Sequence, residues 1–580
     1  MVLNIRSLLL HVLVYSCVCF TVSSVALAAP KSEDDAVVLV GRWLAQTPNP
    51  LESKMAVVIN NVETFKDDDG VPLYHIVHIK PRGFVIVSAD DLIEPIIGFF
   101  PNAEKFSPRS MNPLAALLMR DIPGRMKTVR SNLKNAIPGG ARSFRLPKRQ
   151  QQAKKKWGKF LARIPSSHLK MNALPDADID DIRVSPLIAS RWSQSTEAGA
   201  YCYNYYTPKH YVTGCVATAM AQLMRYYQYP QTGVGTTQFG ISVDGVAKKA
   251  NLRGGNGAGG AYDWSNMMLD PDFSITDIKR KAIGALLYDA GVSVNMAYKP
   301  GGSSASVLNA SRRLKSAFKY GSSVFGANYH DGWHNLTDSM VEKMINSNLD
   351  GGYPVILGIS GDGGHAILAD GYGINNATLY HHLNMGWAGY DDGWYNMPDI
   401  HTTQYNFNTV DEVVYNVFPQ GSGEVVSGRV VDSGGNPVQG ATVTATGGGK
   451  THNDITDDNG IFAFGKVSSN TTFIITTSKS GYAMSPSQRS VTTATSQGGF
   501  STWSVSGNVW AVNFTGTADL KGDIDRSGQV TLVDAILALQ IMGGGMPGIT
   551  VTINSNIDVN GDQSIGLAEA VYALKQEGLH

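Results

Sequence analysis

Two short segments lie about 150 positions apart, and each makes chemical sense only if the fold brings it to the other. The first is Thr213-Gly214-Cys215-Val216-Ala217-Thr218-Ala219-Met220; the second is Gly363-Gly364-His365-Ala366-Ile367-Leu368-Ala369-Asp370-Gly371. Val216, Met220, Leu223, Met224 and Tyr227 recur at helical spacing, so Cys215 begins a helix with one apolar face. His365 opens a run that reads as a strand. A free thiol, with a pKa of about 8.5, is too weakly ionised at neutral pH to be a good nucleophile. A helix N-terminus and a neighbouring imidazole both favour its thiolate. The pair therefore points to covalent catalysis, with Cys215 as nucleophile and His365 as base. A chain that needs this meeting must pack a helix start against a strand start.

At 580 residues the chain exceeds one core, and roughly 100–200 residues per domain predicts about three to five units. Lys plus Arg and Asp plus Glu number 48 each, so net charge offers no case for nucleic acid as a partner. The first 28 residues read as an export signal: Arg6, an apolar run over 8–25, then Ala26-Leu27-Ala28 as the cleavage site. No later segment is long and apolar enough to span a bilayer, so no stable membrane span is expected once the signal is removed. Cys17 and Cys19 would leave with it. The two remaining cysteines, Cys202 and Cys215, are expected to be free, because a bridge would block the nucleophile.

Composition shifts divide the rest. Residues 29–130 read as a small α+β unit, with a helix over 34–44, strands over 74–79 and 83–88, and a turn at Lys66-Asp67-Asp68-Asp69-Gly70. Between Arg120 and Lys170 stand fifteen Lys or Arg against the single acid Asp121. Residues 131–184 are accordingly read as a solvated, flexible basic linker open to activating proteases. Residues 185–420 are rich in Tyr, Trp and Gly, with helices predicted over 215–227, 278–290 and 304–318. Strands are predicted over 355–359, 365–370, 379–383 and 410–417, an α+β order. Residues 421–516, dominated by Thr, Ser, Val and Gly with alternating apolar runs, predict a small antiparallel β-sandwich. Residues 517–580 carry a repeated motif.

Further groups support the pair. Leu383-Asn384-Met385-Gly386-Trp387 follows the histidine; an amide oxygen such as that of Asn384 can accept from one ring N–H and fix the tautomer. Acyl transfer also needs donors for an oxyanion. The Cys215 backbone N–H is one candidate and Gln194, in Trp192-Ser193-Gln194, another; Gln222 and Gln228 fall beyond the nucleophile. Together with Tyr229-Pro230, Tyr262-Asp263-Trp264, Asp289-Ala290-Gly291-Val292 and residues 298–305, these motifs make roughly 185–418 resemble streptopain-type cysteine peptidases. The resemblance implies a papain-like two-lobed α+β fold, protein or peptide substrates, no cofactor for catalysis, Asn384 orienting the base and Trp387 shielding it. Met385 departs from it, since such enzymes often carry another Trp there. Arg82-Gly83-Phe84-Val85-Ile86-Val87-Ser88 and Pro95-Ile96-Ile97-Gly98 likewise resemble the family's propeptide, which implies that the chain's own N-terminal unit is its inhibitor. Gly301-Gly302-Ser303-Ser304 and Gly361-Asp362-Gly363-Gly364 are read as loops around the cleft.

Gly428-Arg429-Val430-Val431-Asp432 and Pro437-Val438-Gln439-Gly440 resemble carboxypeptidase regulatory-like modules, which implies a spacer or binding role. In the last unit Asp523, Asp525, Ser527 and Gln529 alternate and Asp534 stands at the twelfth position; Asp558, Asn560, Asp562, Ser564 and Glu569 repeat the pattern. Ca²⁺ takes six to eight oxygens, which such loops supply, and an apolar helix follows each. The pair resembles a dockerin, a small α-helical calcium-loop module, with Gln563 in place of the usual turn glycine. That resemblance implies structural Ca²⁺ and a cohesin-like partner. The whole reads as a secreted or cell-surface bacterial cysteine endopeptidase made as a zymogen. Two other readings stand beside it: an amidase or transpeptidase on the same fold, and a noncatalytic surface scaffold.

Overall fold

A computed structural model describes residues 29–108, 112–135, 146–162, 180–328, 336–359, 364–397, 410–499, 502–525, 527, 529–545 and 557–577. The export-signal reading and Gly361 to Gly363 lie outside these residues. No helix among them is long and apolar enough to cross a membrane.

The N-terminal unit opens with helix α1 (Glu33–Gln46), started by a reciprocal capping box between Ser32 and Asp35. Four strands follow: β1 (Ile59–Lys66), β2 (Pro72–Ile79), β3 (Phe84–Ser88) and β4 (Ile96–Phe100). Helix α2 (Pro113–Asn135) closes the unit. The largest unit adds β5 (Asp180–Val184), helix α4 (Cys215–Tyr227), helix α5 (Asp277–Ser293), helix α6 (Val307–Ser316), β6 (Ser322–Ala327) and helix α7 (Asp338–Asp350). Strands β7 (Val355–Ile359), β8 (His365–Asn375), β9 (Thr378–Asn384), β10 (Gly393–Tyr395) and β11 (Val410–Phe418) complete it.

All eleven strands form one sheet in the order β1-β2-β3-β4-β10-β9-β8-β7-β11-β6, with β5 paired to β8. The seam is antiparallel, Phe99 opposite Trp394 and Gly98 opposite Tyr395. Each strand would otherwise expose a row of unpaired N–H and C=O groups. The seam is close: a Cβ on Gly98 would lie 2.8 Å from the Trp394 carbonyl oxygen. One face of this sheet buries Phe84, Phe100 and Leu118 with Leu357, Leu383 and Tyr395. The other buries Trp43, Phe99 and Trp157 with Tyr380 and Trp394. Cover on both faces explains why β3 and β4 read as unbroken apolar runs.

The structure corrects the linker. Residues 148–161 form helix α3 (Lys148–Leu161), whose Ala153, Trp157 and Phe160 are buried. Trp157 Nε1 donates to the Ile93 carbonyl at 3.1 Å and Lys156 pairs with Glu94 at 2.8 Å. The density of lysine hid a helical spacing of apolar residues. Residues 180–184, placed in the same linker, are strand β5. The hairpin 238–251 was also not anticipated, although Asp244-Gly245 carries its signal: both residues have positive φ, 52° and 80°.

The C-terminal sandwich has two four-stranded sheets. It is not wholly antiparallel: the first strand, Glu424–Asp432, pairs in parallel with the last, Phe514–Ala518, which also carries the module past residue 516. Helices α8 (Leu532–Met542) and α9 (Leu567–Glu577) form the tail, packing Ala535 and Ala538 with Ala570 and Ala573.

Candidate active site

Helix α4 begins at Cys215 because Gly214 ends the approach to it at φ 86°, in the region that favours glycine. A Cβ there would lie 2.9 Å from both Met296 Cε and the Ser303 carbonyl oxygen. Close approach and backbone conformation both demand glycine, and the 301–304 segment therefore does lie beside the nucleophile. Gly214→Ala is expected to cost about 1–3 kcal/mol of stability from backbone strain, with further loss of activity as Cys215 shifts. Thermal unfolding and the rate of Cys215 alkylation measure the two effects.

The Cys215 thiol sits near the backbone N–H groups of Ala366, the residue after His365, and of Val216, each of which favours its thiolate. Burial is the larger influence and pushes the thiol's pKa up; those N–H groups pull it down. His365, half-buried, opens β8 opposite Ile359. Helix α4, which Cys215 begins, packs on β8, the strand that His365 opens. Cys202 and Cys215 are not bridged.

The backbone of 192–194 joins the remaining candidates. Gln194 is half-buried, and its carbonyl accepts from the Thr213 N–H at 3.0 Å, two residues before the nucleophile. The Ala388 N–H donates to the Trp192 carbonyl at 3.1 Å, placing the turn that holds half-buried Trp387 on the same segment. Gln228 ends α4 in a left-handed C-cap, far along the helix from Cys215.

Asn384 is used differently from the expectation. Its Oδ1 accepts from Gln222 Nε2 at 2.9 Å and from the Gly386 N–H at 3.1 Å, and its Nδ2 donates to the Ser190 carbonyl at 3.0 Å. Both acceptor positions of the amide are thereby occupied, in place of the bond to an imidazole N–H. Gln222, passed over in the sequence, is the hub: its Oε1 accepts from Ser190 Oγ and the Trp192 N–H, both at 3.1 Å. One signal could have found it, a polar residue on the buried face of α4. Met385 is fully buried in the sheet core, and its N–H donates to Asp392 Oδ1 at 2.7 Å, so this departure from the family pattern affects packing. The Asp289 motif is also structural: its carboxylate accepts from the N–H groups of Arg253 and Gly254 at 2.8 Å and from Tyr262 Oη at 2.6 Å.

The N-terminal unit reaches this region. Asn112 Nδ2 donates to Asp391 Oδ2 at 2.7 Å, in the turn after Trp387. In the tail, carboxylate oxygens of Asp523, Asp525 and Asp534 converge within 4.8 Å of one another, a donor set of hard oxygens suited to Ca²⁺. The Ser527 N–H donates to Asp523 Oδ1 at 3.0 Å, and Ser527 Oγ donates to the Gln529 carbonyl at 3.1 Å. In the second loop Asp558 accepts from the N–H groups of Gly561, Asp562 and Gln563; Asn560 Nδ2 donates to Asp562, whose Oδ1 accepts from the Ser564 N–H. Glu569 accepts from the N–H groups of Val559 and Gly566. Gln563 has φ 64°, the conformation for which a glycine would be expected.

Residues 192–395 match the Peptidase C10 family, residues 28–125 the Spi protease inhibitor and residues 425–503 the carboxypeptidase regulatory-like domain. Streptopain of Streptococcus pyogenes serotype M28 (strain MGAS6180) is 32% identical over 195 residues, covering 33% of this chain and 47% of that protein. The thiol protease/hemagglutinin PrtT of Porphyromonas gingivalis is 26% identical over 317 residues, 54% of this chain and 32% of that protein. The chain thus spans about half the length, or less, of these curated relatives. A solved fragment of Prevotella intermedia prointerpain A superposes with a TM-score of 0.44 at 24% identity, covering 62% of this chain and 99% of that one.

Proposed function

We propose that this chain, whose residues 192–395 form a Peptidase C10 segment, is a cysteine endopeptidase made as a zymogen. The observation that carries the reading is Cys215 at the start of α4, the helix packed on β8, which His365 opens. His365 takes the thiol proton as Cys215 Sγ attacks the scissile carbonyl. It then returns the proton to the departing amine, leaving an acyl-enzyme that water hydrolyses. The Cys215 N–H and the Gln194 side chain serve the oxyanion, and Trp387 covers the base. The Ser190–Gln222–Asn384 network holds the two lobes in register, so Asn384 contributes to positioning through the framework.

Latency belongs to residues 29–130 in this reading. Their strands extend the peptidase sheet, and Asn112 holds the turn beyond Trp387. Activation is a cut upstream of residue 180. The reading is tested on casein with reduced protein, before and after processing. Cleavage only after processing supports it; hydrolysis of a simple amide without casein cleavage would favour an amidase, and acyl transfer to an added amine without hydrolysis a transpeptidase.

The chain is further read as exported from a bacterial cell through its first 28 residues. Its tail is read as a dockerin-like module that binds Ca²⁺ and docks on a cohesin-like protein. Convergence of Asp523, Asp525 and Asp534 supports the cation. Asp523, Asp525, Ser527, Gln529 and Asp534 would hold one ion; Asp558, Asn560, Asp562, Ser564 and Glu569 would hold another. Titration calorimetry is expected to register Ca²⁺ binding to the full chain and a weakened first site in Asp525→Ala. No heat at millimolar Ca²⁺ would overturn the assignment.

A further inference from the structure

The sandwich is joined to the peptidase by a short connector, residues 419–423, and its contacts are not those of a tethered spacer. Arg429 lies on its first strand. Its guanidinium makes two parallel bonds to Asp181 of β5, Nη1 to Oδ2 and Nη2 to Oδ1, both 2.8 Å. Side-chain exposure is 5% for Arg429 and 15% for Asp181, so water does little to screen the pair. Asn459 Nδ2 donates to the Arg183 carbonyl at 3.1 Å, a second hold on the same strand. Ser427 Oγ donates to Asp350 Oδ2 at 2.7 Å, and Asp350 Oδ1 accepts from Tyr372 Oη, also at 2.7 Å. Tyr372 lies on β8, the strand that His365 opens.

Buried amides complete the joint. Asn348 Nδ2 and Asn508 Nδ2 both donate to Asn416 Oδ1, at 3.0 and 2.9 Å, and Asn508 Oδ1 accepts from the Val425 N–H at 2.9 Å. All three asparagines are buried. Such a network is favourable only when every member has its partner, which requires one fixed geometry.

β5 needs a hold of this kind. It has five residues and pairs only with β8, off the main path of the sheet. Short terminal strands fray unless tied down. From outside the peptidase β5 is held on two sides: the Leu51 N–H of the N-terminal unit donates to Asp180 Oδ1 at 2.9 Å, and Arg429 grips Asp181; within the peptidase Asn375 Nδ2 also donates to Asp180 Oδ1 at 3.0 Å and Arg183 pairs with Asp181 at 2.9 Å. Loss of the N-terminal unit removes the first hold and leaves the second.

We propose that the β-sandwich is a permanent clamp whose partner is the first strand of the peptidase, keeping β5 on the His365 strand after the chain upstream is cut. The proposal rests on the zymogen reading for the order of events, and its test does not depend on activity. Hydrogen exchange is measured over β5 in the full chain, before and after limited trypsin cleavage upstream of residue 180, with casein digestion followed in parallel. Wild type is expected to keep β5 equally protected in both states. Arg429→Met is expected to stay protected before cleavage and to exchange about 100-fold faster after it. Asp181→Asn, which approaches the pair from the peptidase side and keeps the residue's shape, is expected to act in the same direction if Arg429→Met fails to fold. Unchanged β5 exchange in cleaved variants would overturn the clamp. So would full β5 protection after a cut within 419–423 that frees the sandwich. Clamp behaviour in a protein that never cleaves casein would sink the peptidase reading and leave the clamp standing.

Discussion

Replacing Cys215 by alanine is expected to reduce casein cleavage by at least about 10⁴-fold while leaving the fold in place. The argument has two parts. Chemically, the proposed route has no other nucleophile: the acyl-enzyme forms on Sγ or does not form, and the remaining oxyanion donors give only residual catalysis. Structurally, Cys215 is small, half-buried and at a helix start, so losing one sulfur should change stability by about 1 kcal/mol or less. Thermal unfolding beside the digestion separates the two effects. Alkylation supplies a third readout. Cys202 is fully buried and its thiol is pushed up to about 12 by that burial, so the reactive thiol should be Cys215 and its label should vanish in the variant. Proteolysis retained in Cys215→Ala would reject the mechanism.

Arg125→Met is expected to cost about 3–5 kcal/mol and to release the latent state early. Arg125 lies on α2 of the N-terminal unit and forms two 2.8 Å bonds to Asp121, whose side chain is fully buried. The same guanidinium reaches across the seam to Asn396 Oδ1 at 2.9 Å, and Tyr395 Oη donates to Asp121 Oδ2. Methionine fills the space and leaves the Asp121 carboxylate buried without its cation, which is the expensive way to break a pair. Removing both charges in Arg125→Met/Asp121→Leu should recover most of the loss, because the desolvation cost disappears with the attraction. Urea unfolding in the Cys215→Ala background measures the stability term free of self-cleavage. The delay before casein cleavage begins measures latency. An unchanged delay together with an unchanged midpoint would show that this seam does not hold the zymogen together.

Local pattern carried much of the structure. The helix expected over 215–227 and the strand over 355–359 have those bounds, and 410–417 is extended by one residue, because apolar spacing and flanking Gly or Pro act within a few positions. The basic segment misled because charge was counted where spacing should have been, and Trp157 and Phe160 follow Ala153 at helical intervals. Asn384 misled for another reason. An amide after a catalytic histidine suits the imidazole, but which atom an amide bonds depends on who arrives, and Gln222 and Gly386 take its oxygen.

By itself the sequence determined that Cys215 starts a helix, that His365 starts a strand and that the tail carries two acidic loops. These follow from residues within a turn or two of each other. Only the tertiary structure decided that β4 and β10 make one sheet of two units, that Gln222 ties Ser190 to Asn384, and that Arg429 closes on Asp181. Each of those contacts joins residues far apart in the chain. Every apolar strand offers the same unpaired backbone groups and every arginine the same fork, so the partner is chosen by shape and burial after the chain has folded back on itself.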